Sequence, residues 1–331
     1  MIVLGIETSC DDTSAAVWDG QTLLSNVIST QLVHRNFGGV VPELASRSHV
    51  RLVVPVIEQA LSEAGLQMRS VKGLAVTYGP GLAGSLLVGL SLTKGLSLSL
   101  GIPFVGINHL EGHIWANELA HPDLRPPFIA LIASGGHTQL VHVREWGHYA
   151  VLGRTRDDAA GEAFDKVAKW LGLGFPGGPV IENLAAGGNA KFVRFPRAFL
   201  EEGSLDFSFS GLKTAVLNYV RSIGPAKTRQ HLPDIAAAFQ AAVIDVLIAK
   251  TLLAAKQTKA KCLCLSGGVA VNRALQELLV ERGRVENVQV LFPPPALCSD
   301  NAAMIARAGQ FYLEQGRFST LDLAPNPSLN L

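Results

Sequence analysis

Short apolar runs that end in polar turns dominate the pattern of this chain. Residues 2–6 are apolar throughout; Glu7-Thr-Ser-Cys-Asp-Asp-Thr13 follows, then Ser14-Ala-Ala-Val-Trp18. A run of that length bounded by turn residues predicts a buried strand, a polar turn and a returning strand. Residues 128–143 repeat the plan, with an apolar run to Ala133, the turn Ser134-Gly-Gly-His-Thr138, and Gln139-Leu-Val-His-Val143. Laid over each other, the two stretches put Ser9 on Ser134 and Thr13 on Thr138. A third Ser-Gly-Gly, at 266–268, closes the apolar run 262–265, and Asn272 after it opens a helix. Glycine lets a ligand approach such a turn closely, and the backbone amides can face phosphate oxygens.

Helical spacing fills the gaps. An apolar stripe of Val50, Val53, Val54, Ile57 and Leu61 predicts a helix over 43–64 with that stripe inward and a kink at Pro55. Over 159–171, Phe164, Val167, Ala168 and Leu171 fall on one face and Glu162, Asp165 and Lys169 on the other. The stretch 234–256 is long and largely apolar, which predicts a buried or interface helix. The longest apolar stretch, 82–102, is broken by Lys94 and several Gly and Ser, so it reads as a packed core helix rather than a membrane span. Alternating strands and helices make the chain α/β, and the Pro-rich stretch 122–127 marks the boundary between two lobes.

Composition narrows the class. With 331 residues, 48% of them hydrophobic and 17% charged, the chain suits a soluble enzyme of about two domains. A net charge of +1 gives no global attraction to nucleic acid or membrane, so any basic patch must be local. Arg35, Arg47, His49 and Arg51 are the candidates for one. The four cysteines lack zinc-ribbon spacing; Cys262 and Cys264 share one face of a strand as small core residues, and a reducing cytoplasm is the expected location. Met1 leads directly into the first apolar run without a basic segment or cleavage site, so no signal peptide is expected.

The most informative chemistry is His109-Leu-Glu-Gly-His113. Two imidazoles four residues apart share a helix face and can reach one ion. Imidazole suits Zn, Fe, Ni or Cu, and two ligands do not choose among them. The zincin peptidases place a general-base Glu directly after the first His. Here that position is Leu110, and Glu111 falls about 200° around the helix from His109. A zincin site is excluded; a metal pair and a pair of helix-capping surface histidines both stand.

Taken in order, several stretches resemble one family: Gly5 to Thr13, Gly38-Gly-Val-Val-Pro-Glu-Leu-Ala-Ser-Arg47, Gly79-Pro-Gly-Leu82 and His109 to His113. Ser134 to Gln139, Asp157-Asp-Ala-Ala-Gly-Glu-Ala-Phe-Asp-Lys166, Pro176-Gly-Gly-Pro179 and Asp206 to Thr214 continue it, and Ser266-Gly-Gly-Val269 with Asn272 and Ser299-Asp-Asn301 complete it. Together they are similar to the tRNA threonylcarbamoyladenosine transferase (TsaD) family, once misnamed a sialoglycoprotein endopeptidase, within the actin/Hsp70/sugar-kinase superfamily. The resemblance implies two duplicated actin/Hsp70-like (ribonuclease H-like) lobes with a nucleotide cleft between them, over 1–121 completed by 299–331, and over 122–298. It implies that His109, His113 and Asp300 bind one divalent metal, usually Fe(II), with Zn or Mg possible in preparations. Ile132, Ala133, Ser134, Gly135 and Gly136 would hold the phosphate side of an adenylate. Asp165 would accept the ribose hydroxyls, with Gly178 and Glu182 nearby, and Asn272 would contact the base or ribose. Asp11 would lie near the reacting group as a candidate general base.

The reaction so implied moves a threonylcarbamoyl group from threonylcarbamoyl-AMP to N6 of the adenosine 3′ of the anticodon, in tRNAs reading codons that begin with A. The implied partners are tRNA, an inactive same-fold paralogue, a small P-loop ATPase, and a separate synthase that supplies the adenylate. The chain itself has no Gly-x-x-x-x-Gly-Lys-Ser/Thr loop. A small-molecule kinase of the same superfamily would hold Mg²⁺, which prefers oxygen to imidazole. A non-catalytic scaffold would not be expected to retain His109, His113, Asp165 and Asn272.

Overall fold

The structure is a computed structural model and describes residues 1–198 and 201–331. The chain divides into two compact units, Met1–Asp123 with Pro293–Leu331, and Leu124–Phe292. The second crossing precedes residue 299, where the sequence had suggested it. The short helix Pro295–Cys298 packs on helix His109–Ala120 and so belongs to the first unit.

In the first unit, strands β1 (Val3–Glu7), β2 (Asp12–Trp18), β3 (Leu23–Thr30), β4 (Gly73–Gly79) and β5 (Phe104–Asn108) form a sheet in the order β3-β2-β1-β4-β5. The first three pair antiparallel, and β1, β4 and β5 run parallel. The second unit repeats the plan. Strands β6 (Phe128–Ala133), β7 (Thr138–Glu145), β8 (His148–Arg154), β9 (Cys262–Ser266) and β10 (Gln289–Leu291) lie in the order β10-β9-β6-β7-β8, with the same parallel and antiparallel pairings. The superposition of Ser9 on Ser134 keeps strand register: Glu7 pairs with Ser14, and the positions 125 further on, Ile132 and Gln139, also pair. Since a slip of one residue would turn every side chain to the wrong face, this agreement marks a true duplication.

The central strands β1, β4, β6 and β9 bury both faces. In β1, Leu4 and Ile6 join Val53, Val56 and Ile57 of helix Pro42–Glu63, while the intervening Gly5 lies against Ala302 and Ala306 of helix Ala302–Glu314. Helix Pro42–Glu63 runs on through Pro55. Its inward stripe holds Val53, Ile57 and Leu61 as the periodicity suggested, together with Ala45, His49, Val56 and Ala60, but Val50 at 64% and Val54 at 47% are exposed.

Two helices are long and apolar enough to cross a membrane by length and composition, Ala83–Leu100 and Leu232–Thr258. The second is mostly buried within its unit. The first is not the core helix expected of it, because Leu87 and Leu98 are exposed and only one side rests on the sheet and helix Pro42–Glu63. A segment apolar on all sides carries no periodic signal of which side packs. Helix Ala160–Trp170 buries Phe164, Val167 and Ala168 as its amphipathic pattern requires, and Leu171 is its half-buried C-cap. All four cysteines are free thiols.

Candidate functional site

The first unit brings His109, His113 and Asp300 together. Asn108 ends β5 and caps helix His109–Ala120, its side chain accepting from Leu110 N at 2.9 Å, so the helix starts with His109 at its first turn. One turn on, His113 lies on the same face, with the two rings edge to face at 4.8 Å between centroids. Asp300 sits between two helices, fixed by Asn301. That side chain accepts from Met304 N and donates to the carbonyls of Leu297 and Ser299. Gly112 lets the helices close up, since a Cβ there would stand 2.8 Å from Ile305 Cδ1.

Asp300 Oδ1 is 3.2 Å from His113 Nε2 and 3.5 Å from His109 Nε2, and ligand atoms of the three residues lie within 4.8 Å of one another. Both imidazoles are buried, His113 Nδ1 has no hydrogen-bond partner among the described residues, and His113 Nε2 faces only the shared Asp300 Oδ1. An unsatisfied imidazole inside a protein is costly unless something else takes its lone pair. Two imidazoles and a carboxylate converging on one point are a donor set that fits a divalent transition metal with open positions for substrate oxygens. Surface helix capping is excluded for the pair. Glu111 points elsewhere, accepting from Tyr312 OH at 2.6 Å, in keeping with the exclusion of a zincin base.

Sequence reasoning gave Glu7 no role, yet it completes the cluster. Buried at the end of β1, it accepts from Ser9 N (2.5 Å) and Thr77 Oγ1 (2.6 Å), and its Oε2 lies 3.0 Å from His109 Nδ1. Such a carboxylate fixes the ring and leaves Nε2 toward the ligand position. Burial disfavours charge on His109, but Asp300 and Glu7 outweigh it and hold the imidazole well above its ordinary pKa. Burial likewise opposes ionisation of Asp300, yet His109 and His113 hold it well below the carboxylate range. Glu7 is lowered against burial by His109, and His113 is lowered by burial. Asp11 is half-buried, its carbonyl accepting from Gln31 N at 3.1 Å. Its neighbour Asp12 is the perturbed carboxyl, pushed up to about 7 by burial and by the charge of Asp300.

The second unit gathers the remaining candidates. Ile132 and Ala133 are fully enclosed in β6, so their side chains offer no surface; Gly135 and Gly136 of the following turn are exposed, and a Cβ on either would meet nothing within 4 Å. Ser134 closes the turn by accepting from His137 N through its Oγ and donating its own N–H to the His137 carbonyl. The turn rests on the start of helix Ala160–Trp170, where Gly161 N donates to Ser134 O and a Cβ on Gly161 would collide with that oxygen at 2.6 Å. Further along that helix, Asp165 Oδ1 accepts from Gly177 N at 2.6 Å, which joins it to the start of helix Gly177–Ala185 and to Gly178, whose Cβ position is open. Glu182 Oε1 accepts from Arg273 N, next to Asn272. Asn272 caps helix Arg273–Val285 through Leu275 N and donates to Gln240 Oε1 at 2.8 Å. Helix Gly177–Ala185 thus carries Gly178 and Glu182 between a bond to Asp165 at its start and a bond to Arg273 N beside Asn272, so Asp165, Glu182 and Asn272 all carry structural bonds. His49 does not belong to a basic patch: it is buried, bonded to Thr13 Oγ1 and the Cys10 carbonyl.

Residues 22–307 match the family model described as tRNA N6-adenosine threonylcarbamoyltransferase. A protein of that name from Clostridium perfringens (strain SM101 / Type A) is 50% identical over 100% of this chain and 98% of its own length. Another, from Syntrophus aciditrophicus (strain SB), is 54% identical over 98% of this chain and 96% of its own. Among solved structures, component A of the Acidaminococcus fermentans (R)-2-hydroxyglutaryl-CoA dehydratase is similar in fold, with a TM-score of 0.57 and 17% identity over 94% of this chain and 97% of that one. The duplicated units have the actin-like α/β fold, and with this match over most of its length the chain belongs to the tRNA N6-adenosine threonylcarbamoyltransferase family.

Proposed function

We propose that the protein transfers the threonylcarbamoyl group of threonylcarbamoyl-AMP to N6 of the adenosine 3′ of the anticodon, in tRNAs reading codons that begin with A, releasing AMP. The observation that carries this reading is the buried convergence of His109, His113 and Asp300 in a chain of this family. A divalent cation held by those three residues, Fe(II) in this reading, would supply Lewis-acid polarisation of a substrate oxygen. In the transfer, N6 forms a bond to the carbamoyl carbon, the bond from that carbon to the phosphate oxygen breaks, and AMP leaves with the electron pair. N6 gives up one proton, for which Asp11 is the candidate acceptor.

The substrate is already an activated mixed anhydride, so the protein's work is to position it and stabilise the departing phosphate. The open turn at Ser134, Gly135 and Gly136 suits that phosphate, because the Gly135 and Gly136 amides lie beyond the strand ladder, which ends at the Ala133–Thr138 pair, while the Ser134 amide closes the turn on His137 O. Asp165, aimed by its bond to Gly177 N, suits the ribose hydroxyls, with Gly178, Glu182 and Asn272 around them. This reading includes a separate synthase for the adenylate, and an inactive same-fold paralogue and a small P-loop ATPase for repeated turnover, in the cytoplasm.

The test supplies labelled threonine, bicarbonate, ATP, a synthase and the partner subunits with a tRNA that reads an A-starting codon. Label is expected in the tRNA only when this protein is present. Equal labelling of a tRNA whose target adenosine is guanosine, or labelling without this protein, overturns the assignment.

A further inference from the structure

The loop after β3 combines a rigid base with an outward-facing surface. In the short 3₁₀ helix Leu32–Phe37, His34 is buried and its ring nitrogens are both occupied, Nε2 toward Gln31 Oε1 at 3.1 Å and Nδ1 by Val41 N at 3.3 Å. Gly39 N also donates to the His34 carbonyl, and Gly38 turns the chain in the left-handed region at φ 64°. Gln31 in turn donates through Nε2 to Ala45 O. Around this staple the neighbouring side chains point outward: Leu32 is 58% and Phe37 54% exposed, and Val33, Arg35 and Asn36 are exposed as well. Ordering an aromatic ring into water gains nothing by itself, so a loop that does so at this cost in hydrogen bonds is built to present it.

Both place and charge bear on what it is presented to. Gln31 N donates to the Asp11 carbonyl and Thr30 pairs with Asp12, so the loop leaves the sheet beside the turn that joins Glu7 to Asp12. Glu7 holds His109, which puts the loop at the same end of the sheet as the metal ligands. No acidic residue occurs from Gln31 to Pro42, and the next one, Glu43, is paired with Arg47 at 2.7 Å. Arg35 has no carboxylate partner among the described residues. An exposed aromatic ring two residues from a guanidinium with no carboxylate partner among the described residues suits a polyanion with π faces better than it suits an apolar protein surface.

We propose that Phe37 and Arg35 form the platform on which an unpaired base of the RNA substrate stacks, next to the adenosine presented to the His109, His113 and Asp300 cluster. An adenosine must leave its neighbours for N6 to be reached, and an aromatic ring that takes up an adjacent base offsets that unstacking. The inference rests on the tRNA-modifying function proposed above.

The experiment measures binding of a fluorescently labelled anticodon stem-loop RNA with adenosine at the target position, by anisotropy, across a salt series. Phe37→Ala should weaken binding on the order of 10-fold or more, Phe37→Trp should bind as the wild type does, and Phe37→Leu should be as weak as the alanine variant. Arg35→Ala should weaken binding and lower the slope of log affinity against log salt by about 1, whereas Phe37→Ala should leave the slope unchanged. Because Phe37 is exposed, its variants should melt as the wild type does. Unchanged binding by Phe37→Ala overturns the platform. Wild-type binding by Phe37→Leu also overturns it, since that result means apolar contact rather than stacking. So does a wild-type dimer that Phe37→Ala dissolves, which would assign the surface to a second copy. If the wild-type protein binds metal but no RNA at any salt, it is the proposed function itself that fails.

Discussion

Replacing Glu7 by Gln tests the metal site without touching a ligand. The carboxylate takes three donors: Ser9 N on Oε1, and Thr77 Oγ1 and the Nδ1 side of His109 on Oε2. An amide cannot do the same. If its oxygen stays with Ser9, its NH₂ faces His109 Nδ1, and the neutral ring must then carry its proton on Nε2, the atom that faces Asp300. If the amide turns over, its NH₂ opposes the Ser9 N–H, and a buried donor is left unmade at about 1–3 kcal/mol. Ser9 Oγ, 3.2 Å from His109 Nδ1, can take over part of the orienting bond. The loss in metal affinity should therefore fall toward the lower end of the 10–100-fold range for outer-sphere partners of a ligating His, about 1.4–2.7 kcal/mol. Chelator competition with Co(II) or Zn(II) measures it, and circular dichroism checks that the variant is folded. Thr77→Val removes one acceptor bond from the same oxygen but leaves the His109 tautomer alone, so it should cost only a few-fold. Wild-type affinity in folded Glu7→Gln, or an equal loss in Thr77→Val, would refute the reasoning.

Three further outcomes follow from the same geometry. In the metal-free protein His109 is held above its ordinary pKa of 6.5, so its contribution to stability is complete below that pH and disappears as pH rises through the raised value; thermal melts without metal should fall on the alkaline side, and His109→Ala should remove that part of the slope. Asp165→Ala should weaken AMP binding by roughly 1.5–3 kcal/mol in calorimetry, and because Asp165 also caps helix Gly177–Ala185 it should lower stability by about 1 kcal/mol, so unchanged AMP affinity would leave it only the capping role. Gly136→Asp has room for its side chain and should fold normally yet abolish labelling of tRNA by placing a negative charge beside the phosphate; retained labelling would remove the turn from the site.

The parts of the molecule that could be read from sequence are those written in local spacing. Continuous apolar runs ending in polar turns gave both hairpins, and a four-residue step gave the His pair. The inward face of helix Pro42–Glu63 was legible at Val53, Ile57 and Leu61 but misplaced at Val50 and Val54, because the buried stripe also includes Ala45, His49 and Ala60, residues too small or too polar to count as apolar markers. Asp300 could be assigned to the metal only through the family resemblance, since nearly 190 residues of chain separate it from His113 and only the fold brings them together. Glu7 was hidden for a different reason: a carboxylate at the end of an apolar run looks like the start of a turn. The sequence also cannot tell a satisfied histidine from a ligand. The first unit buries four histidines: His34, His49, His109 and His113. His34 has Gln31 and Val41 N, His49 has Thr13 and the Cys10 carbonyl, and His109 has Glu7 on one side and Asp300 on the other. At His113, Nδ1 has no hydrogen-bond partner among the described residues and Nε2 faces only Asp300 Oδ1, which it shares with His109. Two buried imidazoles sharing one carboxylate oxygen satisfy each other poorly in a metal-free core and well around a cation that accepts their lone pairs, so the convergence of His109 and His113 on Asp300 is the strongest structural argument for a metal site.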